Sequence, residues 1–130
     1  MKIDYVNNIT FQYSSPLKTL WRKGKLPVKY GFYGDVLTQK NVSLEHLKPH
    51  SKKGKTNLAN LVLASKAKNN ARGDNPIDDY LDVKNVIRYL AQFKDVKLQG
   101  FDGNKYIAGI LATLGGLINV QKNETKNQTI

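Results

Sequence analysis

A polar, basic loop separates two short apolar segments near the middle of the chain, and this order limits the folds open to it. Apolar and polar residues alternate over 42–48, which is typical of a half-buried strand, and Pro49 ends the pattern. The stretch 50–59 is polar and contains Gly54, so it is expected to be a loop. The apolar run 60–64 is consistent with a returning strand.

Helix-forming residues follow this second run, and they predict a helix over 65–72. Before the hairpin, the sequence predicts a short helix over 16–23, with Ser15 as its N-cap. Trp21 shares an apolar face of that helix, which favours a place in the core. Aromatic and β-branched residues around Gly31 indicate short strands beside a turn.

The C-terminal half carries helical periodicity and no chemical motif. Asp78 or Asp79 is positioned to cap a helix that runs to about residue 94. A second helix is expected from about 105 to 118, and the polar residues 123–130 are expected to form a frayed tail.

The length of 130 residues fits one domain, which we place at residues 1–122. Its fold class is α+β, with a strand–strand–helix core at about 42–73 and a helical part at about 78–120. No run approaches the roughly 18 apolar residues that span a bilayer, and the N-terminus does not resemble a signal peptide. The chain has no cysteine, which excludes disulfides and thiolate metal sites. A soluble, cytoplasmic protein is expected.

The net charge of +11 is confined to one half of the chain. Residues 16–72 contain 13 Lys and Arg against two acidic residues, while the remainder has eight of each sign. Localised positive charge is typical of proteins that bind polyanions through phosphate contacts, although a solvated basic surface is the plain alternative.

Three residues of the central segment suggest hydrolytic chemistry. Glu45 and His46 are adjacent on the first strand, so their side chains are expected to leave on opposite faces and to have separate roles. Glu45 offers a hard oxygen to a divalent cation, and His46 is suited to take a proton from water near neutral pH. Asn69, on the following helix, offers a carbonyl oxygen. Mg²⁺ tolerates such sparse sites, and with the basic surface they suggest phosphodiester hydrolysis.

The segment 43–76 resembles the HNH endonuclease motif of the ββα-metal, or His–metal finger, superfamily. That motif has an acidic residue and His on the first strand, then a Pro-x-Ser-x-Gly-Gly loop. Asn-Leu follows on the second strand, with a further Asn nine residues later. The matching residues are Glu45-His46, Pro49-His50-Ser51-Lys52-Lys53-Gly54, Asn60-Leu61 and Asn69.

The resemblance implies a role for each matching residue. His46 would be the general base that activates water, and Asn60 would pin the loop so that His46 is correctly aimed. Glu45 and Asn69 would hold one divalent ion, Mg²⁺ or alternatively Mn²⁺, with no structural zinc expected. The cations expected to contact the DNA backbone are Lys52, Lys53, Lys55, Lys66 and Arg72.

The match departs from the family pattern at several positions. Glu45 stands where Asp is commoner, and Lys53 replaces the first loop glycine. Asn70 neighbours Asn69 and is an alternative ligand, although the spacing from Asn60 favours Asn69. His50 occupies a variable loop position, and a structural or surface role is favoured for it.

The sequence thus predicts a metal-dependent endonuclease acting on double-stranded DNA, as a monomer or homodimer, in a bacterial or phage-infected cell. The alternatives are a nucleic-acid-binding module on the same scaffold with little activity, and a structural protein whose basic half docks on an acidic partner.

Overall fold

The computed structural model describes the backbone of residues 16–129 and the side chains of residues 16–118. The chain in this range combines helices with two small antiparallel sheets, which confirms a mixed α+β class. The helices are α1 (Pro16–Arg22), α2 (Lys66–Arg72), α3 (Val83–Ala91) and α4 (Gly103–Thr129), and the strands are β1 (Val42–His46), β2 (Leu61–Ser65), β3 (Lys97–Leu98) and β4 (Phe101–Asp102). No helix in the described range is long and apolar enough to cross a membrane.

The central segment folds in the predicted order of strand, loop, strand and helix. β1 and β2 pair antiparallel, with Val42 opposite Ser65 and His46 opposite Leu61. Every residue of β2 is buried. The side chain of Ser65 then caps α2 by accepting a 3.2 Å hydrogen bond from the Lys68 amide. α2 packs on both strands, which brings its inner face against the hairpin.

α1 confirms the helix predicted near the N-terminus, one residue shorter than expected. Gly24 follows it with φ of 73°, a left-handed conformation that favours glycine after a helix. Trp21 packs against the core, and its indole Nε1 donates a 2.6 Å hydrogen bond to Val28 O. The expected N-cap, Ser15, lies outside the described residues.

The strands predicted around Gly31 are reduced to one isolated bridge between Tyr30 and Val36. The turn between them is tight, with Gly31 N donating to Asp35 O at 2.7 Å. Phe32 N donates to Leu63 O at 2.8 Å, so the turn docks on β2 and does not extend into a sheet of its own.

The predicted start of the first C-terminal helix is wrong. Asp78 and Asp79 lie in a 3₁₀ turn, Ile77–Tyr80, and α3 begins after Asp82. Asp82 is the cap because its Oδ1 accepts from the amides of Lys84 at 2.9 Å and Asn85 at 3.3 Å.

The sequence prediction missed the short β3–β4 hairpin, and the last helix that it predicted is shorter than the one observed. Asp102 accepts from the amides of Asn104 at 3.0 Å and Lys105 at 3.2 Å, so α4 begins at Gly103. α4 continues to Thr129 through the expected tail, because no Gly or Pro interrupts residues 117–129.

Two buried tyrosines join β2 to the C-terminal helices. Tyr89 Oη accepts a 2.9 Å hydrogen bond from Leu63 N and lies 2.8 Å from the hydroxyl of Tyr106. Tyr106 donates to Leu61 O at 2.7 Å. One buried apolar cluster therefore supports the hairpin, while His46 at the end of β1 remains partly exposed.

Candidate functional site

A cavity of about 340 Å³ opens where β1 ends. Its lining includes Glu45 and His46 from β1, His50 from the loop, and Asn69 and Asn70 from α2. The residues predicted as base and metal ligands are thus brought to one surface. Although Glu45 and His46 are neighbours on a strand, both line the cavity, because β1 ends at His46 and the chain turns there into the loop.

His46 is partly buried and is oriented by a residue that the sequence did not single out. Its Nε2 lies 3.0 Å from Thr56 Oγ1, across the loop. Burial lowers the pKa of the imidazole below its usual 6.5, and the nearby His50 lowers it further. When Nε2 carries the proton and donates to Thr56, Nδ1 is left as the nitrogen that accepts a proton.

Glu45 is 4% exposed and has two polar partners. Tyr33 donates a 2.7 Å hydrogen bond to its Oε2, and Arg72 Nη1 lies 3.5 Å from the same oxygen. Burial raises the pKa of the Glu45 carboxyl, while both partners oppose that rise. Burial and the adjacent carboxylate likewise hold the pKa of Tyr33 far above its usual range. Tyr33 belongs to the turn after Gly31, and no sequence motif marked it.

The structure corrects the predicted role of Arg72 as a contact to the DNA backbone. Its side chain is 1% exposed, and its guanidinium donates to His46 O at 2.6 Å, Leu47 O at 2.7 Å and Asn75 O at 2.9 Å. These carbonyls lie at the end of β1 and after α2, where ladder and helix bonds stop, so a rigid multi-donor cation satisfies them. Arg72 therefore joins the end of β1 to the segment that follows α2 and supports the candidate site from within the protein.

Asn69 is held against β1 by its amide nitrogen. Nδ2 donates to Ser43 Oγ at 3.1 Å and to Leu44 O at 3.0 Å. Because both amide protons are used, Oδ1 is the atom that Asn69 has left for a cation. Asn70 lines the same cavity and is exposed, so it stays the alternative ligand.

Asn60 lies at the base of the loop and joins its two ends. Lys48 N donates to Asn60 Oδ1 at 2.8 Å, while Asn60 Nδ2 donates to Lys48 O at 3.0 Å and to Lys55 O at 2.8 Å. Gly54 fits inside this bend, since a Cβ there would lie 1.8 Å from Lys48 O. Asn60 thus holds together the two ends of the loop that follows His46.

The loop lysines differ from Arg72 in being accessible. Lys52, Lys53, Lys55 and Lys66 are all exposed. Lys53 adopts φ of 68°, the left-handed conformation that a glycine would take with less strain. This is the position where the resemblance led us to expect glycine.

The donors around the cavity suit a sparse oxygen site. Within residues 16–118 no three His, Cys, Asp or Glu side chains come together as a metal cluster. The two predicted ligands, the Glu45 carboxylate and the Asn69 amide oxygen, are too few to replace all the waters of a bound ion, and Asp74 is a further carboxylate in the cavity lining. They fit a hard cation such as Mg²⁺, which keeps several of its waters and completes its shell with substrate phosphate.

Comparison of the chain with protein-family models, with curated proteins and with solved structures gives no match.

Proposed function

We propose that this protein is a metal-dependent DNA endonuclease of the ββα-metal type. The observation that carries the proposal is the cavity at the end of β1, where Glu45, His46 and Asn69 meet. These side chains come from a strand and a helix that are separate in sequence, and they correspond to the base and the metal ligands implied by the HNH resemblance.

His46 is the residue that takes a proton from water. Its lowered pKa leaves more of the imidazole neutral, and thus able to accept a proton, than in an ordinary histidine at the same pH. Thr56 fixes the ring through Nε2, and Asn60 fixes the loop that carries Thr56. Both are positioning residues.

Glu45 and Asn69 would hold the divalent ion. When bound, such an ion supplies positive charge that stabilises a phosphate undergoing in-line attack. Tyr33 and Arg72 hold the Glu45 carboxylate in place, while Asn69 is aimed by its two bonds to β1.

The electrostatics support a polyanionic substrate. The excess of positive charge lies within 16–72, the part of the chain that also builds the cavity. Exposed lysines of the loop are suited to contact phosphates without reading sequence.

One observation favours a second candidate, a nucleic-acid-binding module with little activity. The Glu45 carboxylate already lies 3.5 Å from the Arg72 guanidinium, which neutralises the charge that a metal ion needs. A weakly held ion would leave DNA binding intact and slow any cleavage.

Relaxation of supercoiled plasmid by the purified protein tests the proposal. The assay is run with Mg²⁺, Mn²⁺ or EDTA, and compares the wild type with His46→Ala and the control His50→Ala. The expected result is metal-dependent nicking that is lost in His46→Ala and retained in His50→Ala. Equal nicking by the wild type and His46→Ala would contradict the assignment of the base. Salt-sensitive binding without nicking would establish the second candidate, and a linear product would indicate cleavage of both strands.

A further inference from the structure

A second cavity, of about 500 Å³, lies between the loop and α4. Lys48, Lys53 and Lys55 line it from the loop, while Ala112 and Gly116 are among the α4 residues that line it. We call it the lysine groove. It is distinct from the cavity at His46, since that cavity is lined by Pro49, His50 and Ser51 of the same loop.

The loop wall of the lysine groove is held in one shape. Asn60 bonds to the backbone of both Lys48 and Lys55, so the two lysines start from fixed positions. Lys53 N donates to His50 O at 3.1 Å, and Gly54 N donates to Pro49 O at 2.9 Å. The three ammonium groups are therefore carried by a folded turn.

The opposite wall is helical and made of small residues. Thr113 Oγ1 donates to Ala59 O at 2.6 Å, which fastens α4 to the segment that enters β2. A Cβ on Gly109 would lie 3.3 Å from the Ala59 side chain, so α4 approaches this segment closely. Gly116 has no heavy atom within 4 Å of a would-be Cβ, and this absence of side chain keeps the groove open.

We propose that the lysine groove binds the phosphodiester backbone of a nucleic-acid strand, beside the reactive cavity. Among the side chains of residues 16–118, three lysines and no acidic residue line it, so its charge is complementary to phosphate. Lys48 follows His46 by two residues, and the loop alone separates the groove from the cavity. The inference rests on the proposed function for its choice of nucleic acid, but binding in the groove needs neither metal nor His46.

Fluorescence anisotropy with a labelled double-stranded oligonucleotide, in EDTA over a range of salt concentrations, tests the charge of the groove. The variant is the triple substitution Lys48→Gln, Lys53→Gln and Lys55→Gln. Each lost phosphate contact is expected to lower the slope of log affinity against log salt by about 0.9. The control Lys84→Gln, Lys94→Gln and Lys105→Gln carries the same net charge and is expected to keep the wild-type slope. Equal slopes in the two triple variants would overturn the proposal.

A second pair of variants tests the shape of the groove without changing charge. Gly116→Phe places a ring in the groove, whereas Gly115→Phe does not face it, and both Cβ positions are open. Gly116→Phe is expected to weaken DNA binding about tenfold, which is about 1.4 kcal/mol, with Gly115→Phe close to the wild type. Equal effects would contradict the proposal, as would competition by polyglutamate that matches competition by unlabelled DNA.

The two proposals fail separately. Loss of binding in the groove variants of a protein that never nicks plasmid would keep the groove and remove the endonuclease. Metal-dependent nicking that is unchanged by the groove variants would keep the endonuclease and remove the groove. Thermal unfolding of each variant, followed by circular dichroism, confirms that the compared proteins are folded.

Discussion

Arg72 Nη1 lies 3.5 Å from Glu45 Oε2, and the two side chains are 1% and 5% exposed. The same guanidinium donates hydrogen bonds to His46 O, the last carbonyl of β1, and to Leu47 O, the next one along the chain. A buried ion pair of this kind contributes little when compared with an apolar pair, but it becomes costly when one partner is removed. Arg72 is therefore a structural requirement of the candidate site.

Substitution of Arg72 by Met is expected to lower the free energy of unfolding by about 3–5 kcal/mol, because it leaves a buried carboxylate and carbonyls without a partner. Urea denaturation followed by circular dichroism measures the loss. Lys68→Met, on the exposed side of α2, is the matched control and is expected to stay near the wild type. Similar midpoints for both variants would show that Arg72 does not brace the site.

Substitution of Tyr33 by Phe removes the hydroxyl that donates to Glu45 while keeping the ring. That hydrogen bond lowers the pKa of Glu45, so its loss is expected to raise the pKa further and to destabilise the fold by about 1.5–3 kcal/mol. It is also expected to weaken binding of Mn²⁺, which titration calorimetry measures. Tyr30→Phe is the control, since the Tyr30 hydroxyl makes no hydrogen bond within the described side chains. An unchanged Mn²⁺ affinity in Tyr33→Phe would argue against a positioning role.

Substitution of Asn60 by Ala leaves Lys48 N, Lys48 O and Lys55 O without their side-chain partner. We expect a loss of about 1–3 kcal/mol in stability, since unpaired buried polar groups carry a desolvation penalty. Amide exchange over residues 48–56 is expected to speed up, and plasmid nicking to slow. Gln99→Ala, at an exposed position between β3 and β4, serves for comparison. Loss of nicking without faster exchange in the loop would point instead to direct contact of Asn60 with substrate.

The pKa of His46 predicts a pH dependence with a definite sign. Burial and then the charge of His50 lower it, so the unfolded chain binds this proton more readily than the folded protein. The stability associated with His46 is thus present above its unfolded pKa of about 6.5 and is lost as pH falls. The acidic limb of the nicking rate is expected below pH 6.5. His50→Ala is expected to move that limb upward, and NMR titration of the His46 ring in the metal-free protein would measure the same shift. A limb above 6.5 would contradict this assignment.

Local patterns predicted the central hairpin and α2, because alternation, Pro49 and Gly73 act over a few residues. The predicted and observed bounds of an element differ where a contact between residues distant in sequence decides its extent. The turn at Gly31 stays a turn because Phe32 bonds to β2 instead of extending a sheet. α4 passes through the expected tail because no Gly or Pro is present there to end the helix.

Within the candidate site, the sequence could place Glu45, His46 and Asn69 together because a spaced motif carried them. Tyr33 and Thr56 were missed because contacts between side chains distant in sequence leave no periodic trace. Arg72 was misassigned for the same reason. The sequence pattern of a cation at the end of a helix is the same in two cases. The side chain can face solvent, or it can bind unpaired carbonyls at the end of a strand.

The anchoring of α2 by Arg72 has a kinetic consequence. Separation of α2 from β1 would expose a guanidinium, a carboxylate and several backbone carbonyls at once. A locally opened state of this segment is therefore expected to be high in free energy. The amides at the contact of α2 with β1 are therefore expected to exchange with solvent mainly through unfolding of the domain. The cavity at the end of β1 is therefore expected to keep its shape whether or not it is occupied.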